Sequence, residues 1–365
     1  MKITDVQAHL LAIPLKEVDF PAPWVWGGFN QIIVEIQTDE GITGYGEAFG
    51  YGIPQAVAAA IQYGLRPTLI GADPRMISHL HDRMLKENHI YGRYGVTIFA
   101  ISGIDIALWD IAGQCANLPL YRLLGGTDRE KVPAYASLVR YGNRDELKAA
   151  ILHARRAGSR MIKLHQLDGE SLKIFRSVAG EEIGLTVDVN CAWTAKEALA
   201  KAREFAPYRL DWLEEPIFPP EDFRSLHRLG ALTGIPLASG ENACTVFQFQ
   251  AMLEAEAVTY IQPSVIKVGG ITEWRKVATL AELHNAIITP HSPYFGPGLV
   301  ATIHLAATHR LTEWMEYLYV SLETSVFQEP PKFENGYLRV PQGPGLGLKI
   351  DPAVIREYRR PFSAS

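Results

Sequence analysis

The pattern of apolar and polar positions divides the chain into three regions. From residue 1 to about 50 it alternates with the period of strands. The opening Met1-Lys2-Ile3-Thr4-Asp5-Val6 is one such run, and Gln31-Ile32-Ile33-Val34-Glu35-Ile36 leads through the turn Asp39-Glu40-Gly41 into Ile42-Thr43-Gly44-Tyr45-Gly46-Glu47 as a hairpin. Residues 54 to 124 carry helical spacing and end at Leu123-Leu124-Gly125-Gly126, where glycine stops the last helix. Strands followed by helices predict an α+β domain over residues 1–126.

From about residue 130 the rhythm changes. Short β-rich runs at 132–137, 160–165, 185–189, 210–215, 235–240, 259–263, 286–290 and 312–317 alternate with amphipathic stretches such as 145–157, 195–205 and 271–284. Eight runs is the count a (β/α)8-type barrel needs, here over residues 127–320. An open doubly wound sheet competes, but it wants a glycine-rich phosphate loop after its first strand, and none is present. Residues 321–365 are rich in proline and glycine, cannot form another βα unit, and are expected to return to the first domain.

Composition narrows the class. A chain of 365 residues exceeds one ordinary core, so more than one domain is expected. Net charge is −5 without a run of like charges, which recommends neither nucleic acid nor an anionic membrane as a partner. Cys115, Cys191 and Cys244 lack CxxC spacing and fit a reducing cytoplasm. The long apolar stretch 96–112 carries Asp105 and Asp110, so it reads as a buried helix rather than a membrane span.

In a parallel barrel the groups that face substrate sit at the carboxyl ends of the strands. The second run ends Lys163-Leu164-His165, whose i, i+2 spacing aims both polar side chains to one face. The third ends Asp188-Val189-Asn190 and the fourth Glu214-Glu215-Pro216, with one glutamate inward and one outward. The fifth ends Ser239-Gly240-Glu241-Asn242, the seventh Pro290-His291-Ser292, and the eighth carries Glu316. Any one acid alone reads as an ordinary ion pair. Asp188, Glu214 and Glu241 on consecutive strand ends would repel one another unless a cation joined them, and an all-oxygen set suits Mg²⁺. Lys163 and His165 are then candidates for base work, and His291, across the mouth, for proton transfer.

These residues carry a resemblance to the mandelate racemase/muconate lactonizing branch of the enolase superfamily. It extends through Gly103-Ile104-Asp105-Ile106-Ala107-Leu108-Trp109-Asp110, Asp188-Val189-Asn190-Cys191-Ala192-Trp193, Glu214-Glu215-Pro216, Gly269-Gly270-Ile271-Thr272 and Gly343-Pro344-Gly345-Leu346-Gly347, over nearly the whole chain. The resemblance implies a (β/α)7β modified TIM barrel under an α+β capping domain and a homo-oligomer. It makes Asp188, Glu214 and Glu241 ligands of Mg²⁺, with Glu214 inward, and gives Glu316 a hydrogen bond to substrate when protonated. The superfamily's scheme, a Lys or His base with Mg²⁺ stabilising an ene-diolate, is carried over by resemblance rather than derived from these residues. By position His165 takes the base role and Lys163 contacts the carboxylate.

Two positions depart from the racemase pattern. Lys163-Leu164-His165 stands where mandelate racemase has Lys-x-Lys. Ser264, in Gln262-Pro263-Ser264-Val265, stands where the aspartate of a His–Asp dyad or the catalytic lysine of the lactonizing enzymes belongs. Lys267 is expected on the opposite face of an extended strand. A dehydration with His165 as base needs His291 only as an acid, so the expected activity is dehydration of an acid sugar, a small-molecule carboxylate, to a 2-keto-3-deoxy acid. A racemase, epimerase or cycloisomerase is the alternative, and a carboxylate binder without turnover a third. Asn190, Ser264, Trp24 and Trp26 are the candidate substrate contacts. The two tryptophans lie in a loop, about 16 to 30, which with residues 50 to 54 is expected to close the mouth. Its aromatics, and Phe29 and Tyr51, either stack on a sugar or merely cover the rim. Arg140 is a further possible contact, and no arginine-rich site for a second carboxylate stands out.

Overall fold

The first strands are rich in β-branched residues such as Ile3, Val6, Ile32, Ile33 and Val34, which favour extended backbone, and they pair as one meander. In the computed structural model, which describes residues 1–16 and 28–361, β1 (Ile3–Ile13) pairs antiparallel with β3 (Phe29–Thr38), which pairs with β4 (Thr43–Ala48). Trp24 and Trp26 lie outside the described residues. The short β2 (Leu15–Lys16) leaves this sheet to meet the C-terminal region.

The helix Val96–Ala116 lies across β4 so closely that only glycine fits at the crossing. A Cβ on Gly46 would sit 1.9 Å from the carbonyl oxygen of Gly103. This helix is long and apolar enough to cross a membrane, but most of it is buried as the core of the capping domain. The run 103–110 is also the joint to the second domain. Asp105 Oδ2 accepts from Thr272 N at 2.9 Å, and Trp109 Nε1 donates to Thr272 Oγ1 at 2.9 Å. Asp110 accepts from Tyr45 N at 3.0 Å and from Leu346 N at 2.8 Å, tying strand, helix and C-terminal region together.

The second domain holds all eight expected strands: β5 (Lys131–Ser137), β6 (Met161–Leu164), β7 (Gly184–Asp188), β8 (Trp212–Glu214), β9 (Leu237–Ser239), β10 (Tyr260–Ile261), β11 (Ile287–Ile288) and β12 (Met315–Leu318). They pair in parallel in the order β11-β10-β9-β8-β7-β6-β5-β12, and a parallel bridge from Ile288 to Thr312 closes the ring. Helices Arg144–Arg156, Gly169–Ala179, Ala195–Phe205, Phe223–Thr233, Thr245–Glu254, Gly270–His284 and Pro297–Thr308 fill the successive crossovers. Seven helices between eight strands is the (β/α)7β barrel. Local chemistry sets the helix starts: Thr194 and Glu197 form a reciprocal capping box, and Asn143, Asp168 and Asp222 each accept from the first turn they cap.

The C-terminal region touches both domains. β13 (Ser321–Leu322) pairs with β2, β14 (Tyr337–Arg339) adds antiparallel to β5 of the barrel, and Arg359 bridges to Leu11. Tyr135, Met161, Trp212 and Ala238 pack as a buried apolar plug within the barrel, and the polar groups collect beyond it, at the strand ends.

Candidate active site

Side-chain alternation along β6, β7 and β8 places Lys163, Asp188 and Glu214 together. Lys163 is 1% exposed and is the hub: its Nζ lies 2.8 Å from Glu214 Oε1, 2.8 Å from Glu316 Oε1 and 3.3 Å from Asp188 Oδ2. Burial works against this ammonium, but Glu214, Glu316 and Asp188 outweigh it and hold the group well above its ordinary range. Glu214 also accepts from Trp212 Nε1 at 3.1 Å.

One oxygen from each of Asp188, Glu214 and Glu241 lies within 4.8 Å of the others, so the three could ligate one ion. Their protonation behaviour shows the crowding. Burial, with Asp188, Glu316 and Glu241 nearby, pushes the Glu214 carboxyl well up despite Lys163. Burial likewise opposes the charge on Asp188 and Glu241, but Lys163 and His165 pull the first down, and His291 and Lys267 pull the second to about 2. Asp188, Glu214 and Glu316 around Lys163, with the half-buried Glu241 beside them, crowd acidic groups that a divalent cation would relieve, and an all-oxygen set is what Mg²⁺ takes.

The two histidines flank this set. His165 has Nε2 3.2 Å from Asp188 Oδ2 and Nδ1 2.5 Å from the carbonyl oxygen of Leu138, which fixes the ring. His291 has Nε2 3.0 Å from Glu241 Oε2, and its buried Nδ1 meets no partner among the described residues. Ser264 does not fill that position: its hydroxyl lies 3.0 Å from Tyr294 Oη, and Tyr294 in turn donates to the His291 carbonyl. Glu316 accepts from Ser292 N at 3.1 Å; burial raises its carboxyl, and Lys163 and His291 bring it below the ordinary value. In these contacts it stands as an acceptor. Asn190 takes a positive φ of 48°, its N–H donates to Asp188 Oδ1 at 2.8 Å, and its Oδ1 lies 3.5 Å from Arg140 Nη2.

Lys267 corrects the sequence reading. The backbone leaves extended geometry after Ile261, and the N–H groups of Lys267 and Val268 both bond the Ser264 carbonyl as in a helical turn. An offset of three then stays on one side. Its Nζ lies 3.0 Å from Asn242 Oδ1, 3.9 Å from Glu241 Oε1 and 4.7 Å from the centre of the Phe49 ring. Asn242 donates to Glu215, which also accepts from Cys191 Sγ. Glu215, expected to face outward, is buried in this network, and burial with Glu241 and Asp188 nearby pushes it to about 8. Lys267, Asn242, Glu215 and Tyr294 were absent from the sequence candidates. The Glu214-Glu215 pair and Glu241-Asn242 were visible as motifs, but nothing local ties them to Lys267.

The capping domain forms one wall. Phe29 stacks edge-on against Tyr51 and Phe295, each at 5.1 Å, and Tyr51 donates to the Pro293 carbonyl two residues from His291.

Comparison with known proteins agrees with this architecture. Residues 28–125 match the family model described as mandelate racemase / muconate lactonizing enzyme, N-terminal domain, and residues 146–354 match enolase C-terminal domain-like. The chain is 35% identical to an arabinonate dehydratase of Saccharolobus solfataricus, over 90% of each protein. It is 33% identical to a D-galactarolactone cycloisomerase of Agrobacterium fabrum, covering 99% of this chain and 100% of that one. A solved racemase of Streptomyces coelicolor with bound magnesium superposes with a TM-score of 0.87 at 30% identity, covering 98% of this chain and 100% of the other.

Proposed function

The chain belongs to the mandelate racemase/muconate lactonizing enzyme family of the enolase superfamily, and on that footing we propose that it is a magnesium-dependent acid-sugar dehydratase. The observation that carries this reading is the triad Asp188, Glu214 and Glu241, two of them buried, with His165 beside Asp188 and His291 beside Glu241. Its dehydratase relative supports the acid-sugar class.

A proton α to a carboxylate is weakly acidic because its removal places a second negative charge on the same group. Mg²⁺ held by the three carboxylates would supply the Lewis acidity that stabilises that charge. Lys163 adds a fixed positive charge beside the same oxygens. His165, oriented through Nδ1 by the Leu138 carbonyl, presents Nε2 to the site and takes the α-proton. The electron pair left behind expels the β-hydroxyl, and His291 Nε2 gives that group a proton, so water leaves. The enol that remains tautomerises to the 2-keto-3-deoxy acid. This division of labour asks nothing of His291 Nδ1, which fits its lack of a partner.

A cycloisomerase is the second reading, favoured by the relative of that name that the chain matches end to end. It would use the same abstraction but release no water. The deciding experiment incubates the protein and Mg²⁺ with arabinonate, xylonate, galactonate and their stereoisomers and assays 2-keto acid. Formation of keto acid supports the dehydratase. Isomerisation of a lactone or anhydro acid without keto acid from any open-chain acid would replace it with the cycloisomerase. A His165→Ala variant as fast as wild type would remove His165 from the mechanism.

A further inference from the structure

Above the buried charges sits one exposed cation. Arg140 follows β5, and its side chain reaches across the ends of the next two strands. Nε donates to the His165 carbonyl at 2.6 Å, and Nη2 lies 3.5 Å from Asn190 Oδ1. Lys163, Asp188 and Glu214 beneath are each at most 1% exposed, whereas Arg140 is exposed at the rim. A guanidinium has five N–H groups in a rigid fork. Those two contacts hold the group in place, and among the described residues its remaining N–H groups have no further partner. In the proposed function the substrate's α-carbon faces His165, whose backbone carbonyl Arg140 bonds, so this guanidinium is the exposed cation beside the reacting carbon.

We infer that Arg140 selects the hydroxylated tail of the substrate, donating to hydroxyl oxygens on carbons beyond the reacting pair. This rests on the acid-sugar reading and narrows it to aldonic acids of five or six carbons. The tail carries hydroxyls rather than a second carboxylate because acceptors stand beside this single cation: the His165 carbonyl and Asn190 Oδ1 would take a hydroxyl's proton and repel a carboxylate. Arg144, the next cation along, is engaged with Asp168 at 3.3 Å, and Arg140 shares its own protons with two acceptors. A distal carboxylate, which can only accept, would meet one partly engaged guanidinium beside two acceptor oxygens, whereas a hydroxyl can accept from the guanidinium and donate to those oxygens.

The test compares a hexonate, the tetronate of the same configuration at C2 and C3, and the corresponding aldarate, using wild type, Arg140→Met and Arg140→Lys. The expected wild type prefers the hexonate over the tetronate by tenfold or more in kcat/KM, a factor of about one charge-assisted hydrogen bond. Arg140→Met removes that preference through KM with kcat within about threefold, and Arg140→Lys restores part of it. An unchanged length preference overturns the inference, and so does an equal loss on both acids, which marks Arg140 as a support for His165 alone. An aldarate that is the best wild-type substrate and suffers most in Arg140→Met overturns it in favour of an anion site. A wild type inactive on every acid refutes the acid-sugar reading itself, before any variant is compared.

Discussion

Ser264 is bonded to Tyr294, 3.0 Å between hydroxyl oxygens, and not to the histidine that a dyad partner at its position would orient. Among the described residues His291 Nδ1 is then buried and unpaired. Ser264→Ala should therefore keep kcat within about threefold and lower stability by about 1 kcal/mol, the net worth of one buried hydrogen bond. Turnover and a denaturation midpoint check both numbers. A hundredfold fall in kcat would mean that Ser264 orients His291 after all.

Lys163 neutralises part of a carboxylate cluster that is otherwise unbalanced. Lys163→Met should destabilise the metal-free protein by about 3–5 kcal/mol, because breaking a buried ion pair strands its partners. Added Mg²⁺ should recover much of that loss, since it offers the carboxylates another cation. Thermal unfolding with and without Mg²⁺ reads the difference. Identical losses in both conditions would argue that the triad takes no ion.

Glu47, on the capping domain, accepts from Gly298 N at 2.9 Å at the start of the barrel helix Pro297–Thr308, and burial pushes its carboxyl from 4.5 to about 8. Between those values the folded chain holds a proton that the unfolded chain has released. The contribution is therefore complete below about pH 4.5 and is lost as pH rises through about 8. Relative to Glu47→Gln, which cannot titrate, wild type should lose stability steadily across that window, by about 1.4 kcal/mol for each step of one in pH. Parallel pH profiles for the two proteins would contradict it.

Gly46 has no room for a side chain, since its Cβ would meet the Gly103 carbonyl at 1.9 Å. Gly46→Ala should push β4 off the helix Val96–Ala116 and cost about 1–3 kcal/mol or more by overpacking. A denaturant midpoint within error of wild type would show that the sheet and helix can separate freely.

How much was legible beforehand follows from where the information is local. The eight barrel strands and the intervening helices were visible because a side chain's direction follows from regular backbone geometry, with period two in strands and 3.6 in helices. For the same reason the convergence of Lys163, Asp188 and Glu214 could be anticipated. That reasoning failed at Lys267, where the strand ends after Ile261 and a helical turn reverses the expected face.

Amino-acid order alone determined the succession of elements, the three strand-end carboxylates and the absence of an acid at Ser264, since each is a property of residue type and short-range spacing. Tertiary structure decided what those groups touch. Ser264 serving Tyr294, Glu47 capping a helix 251 residues away and Arg140 spanning two strand ends arise from contacts between segments distant along the chain. Short-range periodicity holds no record of such contacts, because they are selected only when the whole chain packs.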